Sequence, residues 1–329
     1  MGVGHNETKN IASYKYMLAG GFSGAVTRAI CQPFDVLKIR FQLQVESFHH
    51  QAGGKYRGLP QALSTIVREE GLGALWKGHV PAQSLSVVYG CVQFLSFEIL
   101  SSQMSHLLVN GSRFPGGALH LSSDFLSGTL SSVVATVVSF PFDVVRTRLV
   151  AQGNQTKLYS GTLHAFLVIW KDKPLTLFRG LTPTLFQVAP QGGIQFSVYN
   201  ALSKLLSSSK YFCSSPSPAS SSNPQTVRPV LSPLGSLLAG SSAGLAAKVA
   251  IYPLDLAKKR IQVQGLDKAR SEFGKTMQCH SLGDCLYKTW QRESYRGLYK
   301  GLLPSLLKAA VTSACHFTVY EQTLRLWTS

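Results

Sequence analysis

The residues best suited to hold an anion are three cations set in long apolar stretches: Arg28, Lys248 and Lys308. A lone cation at bilayer depth costs roughly 2.5–3.5 kcal/mol, so each position needs a reason. One reason is an anionic ligand in a shared cavity; the other is snorkelling of a long side chain to an interface. Together the three suit a di- or triphosphate better than a monocarboxylate, because phosphate oxygens accept several charge-assisted hydrogen bonds. Gln187, Gln191 and Gln195 recur every four residues. This polar stripe faces either the same cavity or a neighbouring helix, where it acts as polar glue.

A second set combines acids and bases. Asp35/Lys38, Asp143/Arg146 and Asp255/Lys258 are each three residues apart, so each pair shares a helix face. Three such helices around an axis can match the acid of one to the base of the next, and that ring can act as a gate. The alternative is a set of interfacial charges near helix ends.

The elements that carry these residues come in three copies. Pro33-Phe-Asp35-Val-Leu-Lys38-Ile-Arg40 recurs as Pro141-Phe-Asp143-Val-Val-Arg146-Thr-Arg148 and as Pro253-Leu-Asp255-Leu-Ala-Lys258-Lys-Arg260, after 108 and then 112 residues. Each copy is followed by an acidic–aromatic–basic string: Glu70 with Trp76-Lys77-Gly78, Asp172 with Phe178-Arg179-Gly180, and Glu293 with Tyr299-Lys300-Gly301. Small pairs four apart, Gly20/Gly24, Gly128/Ser132 and Gly240/Gly244, begin 13 residues before each proline; such pairs let helices pack closely in lipid. Arg28 and Lys248 precede their prolines by five residues where the second copy has Thr136, and Lys308 matches Leu85 and Gln187. The threefold pattern therefore does not demand these cations.

The chain carries 14% charged residues with a net charge of +17 over 329 residues, against about a quarter charged in ordinary soluble proteins. Few charges of mostly one sign point to an anionic partner: nucleic acid, lipid or solute. Mean hydropathy is only +0.10, yet 79–97, 125–142, 180–203 and 229–247 contain no Asp, Glu, Lys or Arg. They reach or approach spanning length, and their Gly, Ser, Thr and Gln content suits helices around a wet cavity. The prediction is an all-α membrane protein with six spans near 14–43, 79–106, 119–150, 181–207, 232–264 and 302–327. Its repeats cover 14–107, 119–207 and 231–327, with an N-terminal tail at 1–13, a Ser/Pro-rich linker at 208–230 and short amphipathic helices in the loops, such as 59–68 and 282–292.

Other classes fit poorly. The basic residues are dispersed between spans, not gathered on one stripe as in a nucleic-acid binder. No P-loop, HExxH, GxSxG or CxxC motif marks an enzyme. Cys279, His280 and Cys285 lack a fourth ligand for a metal. The first ten residues resemble neither a signal nor a transit peptide, and Asn6 breaks a myristoylation motif.

The triplicated Pro-x-Asp-x-x-basic-x-basic string with its acidic–aromatic–basic-Gly partner resembles the mitochondrial carrier family over nearly the whole chain. The resemblance implies six tilted helices in three pseudo-symmetric repeats, short matrix-side helices, termini on the intermembrane side and alternating access across the inner membrane, by one chain acting as a monomer. It also implies a matrix gate of Asp35–Arg146, Asp143–Lys258 and Asp255–Lys38, braced by Gln42 and Gln262, with Val150 in the second brace position. Within repeats, Arg40, Arg148 and Arg260 would tie to Glu70, Asp172 and Glu293. Contact points would fall at Leu85, Gln187/Val188 and Lys308, with Arg28 and Lys248 nearby and Gln191 as a further candidate. Trp76, Lys77, Gly78, Phe178, Arg179, Gly180, Tyr299, Lys300 and Gly301 would hold cardiolipin; interfacial anchoring is the simpler reading of the same residues. The family's aromatic-acidic-x-x-basic gate lacks its base here: Ser101, Ser203 and Leu324 stand in those places. A weaker cytoplasmic gate follows, with a ligand-free state open to that side. Three longer stretches, 76–83, 92–98 and 252–260, extend the likeness to members that move thiamine pyrophosphate. That implies import of thiamine pyrophosphate as substrate, not cofactor, against nucleotides. A carrier of adenine nucleotides or coenzyme A is the alternative.

Overall fold

The computed structural model describes residues 4–45, 54–111, 117–153, 157–207, 232–267, 269–270 and 277–328. The linker placed at 208–230 lies outside these residues. The described chain is helical, without strands: α1 Gly4–Leu43, α2 Leu59–Glu70, α3 His79–Gly111, α4 Gly117–Ala151, α5 Thr162–Asp172, α6 Leu181–Ser207, α7 Pro233–Gln262, α8 Leu282–Leu298 and α9 Leu302–Thr328. It divides into two compact units, Met1–Leu181 with Leu256–Ser329, and Thr182–Asp255.

Six helices are long and three are short. Among the described residues, four stretches are both long and apolar enough to cross a membrane: Leu72–Met104, Leu126–Ala151, Gly235–Gln262 and Leu302–Thr323. The other two long helices dilute their apolar character with charged and polar residues. α1 carries Arg28, Asp35, Lys38 and Arg40, and α6 carries Pro190 and the glutamine stripe. At 27 residues α6 is about 40 Å long at 1.5 Å per residue, enough for a bilayer core. α1 begins at Gly4, well before the span predicted at 14.

In the larger unit α1 packs against α9 and α3 against α4. Ser23 Oγ donates to the His316 carbonyl at 2.9 Å. The small-residue motif is off by one position. A Cβ added at Gly20 or Gly24 meets nothing within 4 Å, and at Gly128 only Phe97 at 3.9 Å. The buried face is instead Ala19/Ser23/Thr27 on α1 and Ser127/Ser131/Ala135 on α4. In the smaller unit α7 repeats this register: Ala239, Ala243 and Ala247 are buried, while Gly240 and Gly244 have open space around them. One residue is about 100° on a helix, so glycine periodicity alone names the neighbouring face.

The short helices sit on the loop ends of the long ones. α2 brings Ala62 and Ile66 against Leu37 and Phe41 of α1, and α5 brings Ala165 and Ile169 into a core with Val145 and Leu149 of α4. α8 is broken at Ser294, whose φ of 60 lies in the left-handed region; Gly71 holds the matching place in the first repeat at φ 83.

A threefold clasp ties loop to helix. Gln44 Nε2 donates to the Tyr56 carbonyl and its Oε1 accepts from Tyr56 N, both at 2.9 Å. Gln152 repeats both bonds with Tyr159 at 2.8 and 2.9 Å, and Gln264 Nε2 donates to the Cys279 carbonyl at 2.9 Å. These glutamines sit eleven residues after each repeat proline, so the clasp carries its own threefold periodicity in the sequence.

Candidate functional site

Two of the expected gate pairs, Asp35–Arg146 and Asp143–Lys258, form near the loop ends of α1, α4 and α7. Asp35 lies two residues past Pro33, and its buried carboxylate takes two cations. Arg146 Nη2 approaches Oδ2 at 2.5 Å as a charge contact without hydrogen-bond alignment. Lys308 Nζ donates to Oδ1 and Oδ2 at 2.7 and 2.8 Å. Lys308 was expected to be a lone cation awaiting a ligand, and this is corrected. An ammonium at this depth gains more from a carboxylate 273 residues away in sequence than from standing alone. Its side chain keeps 29% exposure, so one side remains open to a competing anion.

Asp143 also takes two cations. Lys258 Nζ lies 2.8 Å from Oδ2 and Lys259 Nζ 2.8 Å from Oδ1. Lys259 also donates to Thr147 Oγ1 at 2.9 Å and Gln262 Oε1 at 3.0 Å, and Gln262 Nε2 donates to Asp143 Oδ2 at 2.9 Å. Sequence reasoning missed Lys259. The signal was available: the matching positions are Ile39 and Thr147, so Lys259 breaks the threefold pattern as the three singled-out cations do. Gln42 is fully buried and its carbonyl accepts from Arg260 Nε at 3.1 Å. Lys38 sits on α1 one turn beyond Asp35. Asp255 ends the smaller unit.

Of the remaining candidates, Arg28 Nη1 donates to the Ala82 carbonyl at 3.0 Å, which supplies a hydrogen bond but no counter-charge. Leu85 is half-buried on α3. In the smaller unit Gln187, Val188 and Lys248 are half-buried and Gln191 is exposed. Glu98 and Glu321, the acids of the second gate, are exposed and make no ion pair among the described residues.

The acidic–aromatic–basic strings hold the loops together. Glu70 pairs with Arg40, its Oε2 accepting from Arg40 Nη2 at 2.8 Å, and with Lys77 at 2.5 Å. Glu293 pairs with Arg260 at 2.5 Å and with Lys300. The tie expected from Arg148 to Asp172 is not made. Asp172 is one methylene shorter than glutamate and is exposed, and Arg148 instead donates to Gln262 O, Gln264 O and Tyr159 Oη. Lys77, Arg179 and Lys300 all turn inward, Lys300 to Gln44 O and Val45 O at 3.1 and 3.0 Å and Arg179 to Gln264 O at 2.9 Å. Each of these cations therefore already has an oxygen partner within the protein. Trp76, Phe178 and Tyr299 are the exposed members. Gly78 and Gly180 make room for the next repeat at φ 75 and φ 87. An added Cβ would lie 3.1 Å from Val150 Cγ2 at Gly78 and 3.3 Å from the Lys258 carbonyl at Gly180.

Burial pushes the Glu70 carboxyl up, but its Arg40 and Lys77 partners outweigh that and hold it down to about 2. A depressed carboxyl stabilises the fold fully above its unfolded value of 4.5 and loses that contribution as pH falls toward 2. Glu70→Gln should therefore lower the melting temperature at pH 7, by the equivalent of about 1.5–3 kcal/mol for hydrogen bonds to a charged group, and flatten the decline below pH 4.5. Thermal unfolding of both proteins from pH 7 to pH 3 checks this. Parallel curves would refute it.

Comparison with known proteins adds to this geometry. The family model described as mitochondrial carrier protein matches residues 9–107, 117–210 and 229–329. The chain is 42% identical over 320 residues to the mitochondrial thiamine pyrophosphate carrier of Homo sapiens, covering 97% of this chain and 92% of that one. It is 36% identical to mitochondrial thiamine diphosphate carrier 1 of Arabidopsis thaliana, covering 92% and 91%. It is 33% identical to mitochondrial thiamine pyrophosphate carrier 1 of Emericella nidulans, covering 94% and 91%.

Proposed function

From the premise that this chain belongs to the mitochondrial carrier family, a transporter crossing the mitochondrial inner membrane several times, we propose that it exchanges thiamine pyrophosphate for nucleotides by alternating access. The observation that carries this is the near-full-length likeness to relatives named for that cargo in animals, plants and fungi. Thiamine pyrophosphate passes through as substrate and is not retained as a cofactor. Each chain works as a monomer.

The cations supply the chemistry. Arg28 precedes Asp35 by seven residues, two helical turns, so both lie on one side of α1. Pyrophosphate oxygens compete with Asp35 for the Lys308 ammonium and with the Ala82 carbonyl for the Arg28 guanidinium. Taking Lys308 away leaves Asp35 with one cation in place of two, which loosens the junction of α1 with α9 on the matrix side. Leu85 joins them in the larger unit, and Lys248, Gln187, Val188 and Gln191 are the candidate contacts of the smaller unit. With Glu98 and Glu321 making no ion pair among the described residues, the ligand-free carrier rests open to the cytoplasm. Cardiolipin binds beside the exposed Trp76, Phe178 and Tyr299, at the glycines that open the even-numbered long helices.

Reconstituted liposomes loaded with unlabelled thiamine pyrophosphate or nucleotide and supplied with labelled thiamine pyrophosphate provide the test. Uptake well above empty liposomes is expected. Uptake of adenine nucleotide or coenzyme A without thiamine pyrophosphate would move the assignment to the alternative cargo.

A further inference from the structure

The three repeats build the same junction at the loop end, and the second is incomplete. In the first and third, a glutamate almost wholly out of solvent takes two cations, with side-chain exposures of 2% for Glu70 and 4% for Glu293. In the second, Asp172 is exposed and makes no ion pair among the described residues. Lys173 follows it with an extended φ of −149, where Gly71 turns the first repeat at φ 83. The helix end therefore does not fold the acid inward. Arg148 Nη2 and Arg179 Nη1 instead share the Gln264 carbonyl at 3.1 and 2.9 Å. One carbonyl oxygen satisfies donors but neutralises neither guanidinium.

Around this gap lies a cavity of about 420 Å³ lined by Arg148, Asp172, Lys173, Thr176, Arg179 and Gln264 among others. Three cations face one carboxylate. Cavities of about 300–1,000 Å³ are the size that holds small ligands, and paired guanidinium groups offer planar forks matched to phosphate oxygens. Arg148 lies five residues past Asp143 toward the loop, and neither Arg28 nor Lys308 lines the cavity.

We propose that this cavity is a second anion site, taking a phosphate-bearing group where the other repeats keep a glutamate. The ligand stands in for the missing carboxylate and ties the α5 end to α4 and to the segment after α7. This proposal does not depend on which cargo the carrier moves.

Asp172→Glu tests it by giving the second repeat the longer acid of the other two; Arg179→Ala tests it by removing one guanidinium. Calorimetric titration of the delipidated full chain uses inorganic pyrophosphate in one arm and cardiolipin in the other. The wild type should bind one equivalent more than either variant. An extra equivalent with pyrophosphate upholds the site as one for a free anion. An extra equivalent with cardiolipin alone overturns it, because the lipid contact proposed beside Phe178 and Gly180 of the same repeat accounts for it. Equal stoichiometry in all three proteins in both arms overturns it, and so does the loss of the extra equivalent in neither variant.

Discussion

Lys308→Ala should cut thiamine pyrophosphate exchange by about two orders of magnitude while leaving a folded, inserted protein. Truncating one partner of a desolvated charge pair costs about 2–5 kcal/mol in binding, and about 1.4 kcal/mol is tenfold. The substitution should spare the fold because Asp35 keeps Arg146 and the Lys308 side chain is already 29% exposed. Lys308→Arg keeps the charge and should retain part of the exchange, whereas Lys308→Gln should behave like the alanine variant. Arg28→Ala should act in the same direction, since its guanidinium has the Ala82 carbonyl for a partner and its loss orphans only that oxygen. The readout is exchange in liposomes alongside the melting temperature of the same preparation. Exchange within about threefold of wild type at normal stability would place the cargo site elsewhere. A collapse in stability with normal exchange would make Lys308 a structural clamp on Asp35 and nothing more.

Asp143→Asn should give the largest loss of stability. Lys258, Lys259 and Gln262 all direct polar hydrogens at this one carboxylate. The asparagine leaves two ammonium groups, with side chains only 13% and 8% exposed, without their anion. Breaking a buried pair in this way costs about 3–5 kcal/mol, and each kcal/mol is worth about 2–4 °C in domains of a few hundred residues. A fall on the order of 10 °C is expected. Lys259→Thr alone should cost much less, because Lys258 still neutralises Asp143. Combined with Asp143→Asn it should restore part of the lost stability by removing one orphaned charge. Melting curves of the two single variants and the double variant form a thermodynamic cycle that isolates this coupling. Additive losses would show that Lys259 does not act through Asp143.

The two carboxylates share a logic. Each meets the base that the repeat pattern names, Arg146 or Lys258, and each takes a second cation that breaks the pattern, Lys308 or Lys259. These two junctions therefore carry more cationic charge than one-to-one pairing would give. At Asp35 the extra cation keeps an exposed side, which makes it the group a phosphate can reach; at Asp143 the extra cation is buried and serves the fold.

The all-helical class, the three repeats, the placement of long and short helices and the membership in a carrier family were legible in the sequence. They follow from periodicity: a proline motif returning after 108 and 112 residues, and acids and bases three apart on a 3.6-residue helix. Local spacing decides which residues share a face, and length with composition decides which segments span a membrane. Contacts between distant segments were decided only by the tertiary structure. Lys308 on Asp35, the second cation on Asp143, the inward turn of Lys77 and Lys300, and the failure of Arg148 to meet Asp172 all depend on the rotation and depth of separate helices. A rotation of about 100° moves the buried face by one residue, as from Gly20 to Ala19, and one methylene decides whether an acid reaches its arginine. Differences that small leave no trace in a motif, yet they determine which charges are already paired and which are left for a ligand.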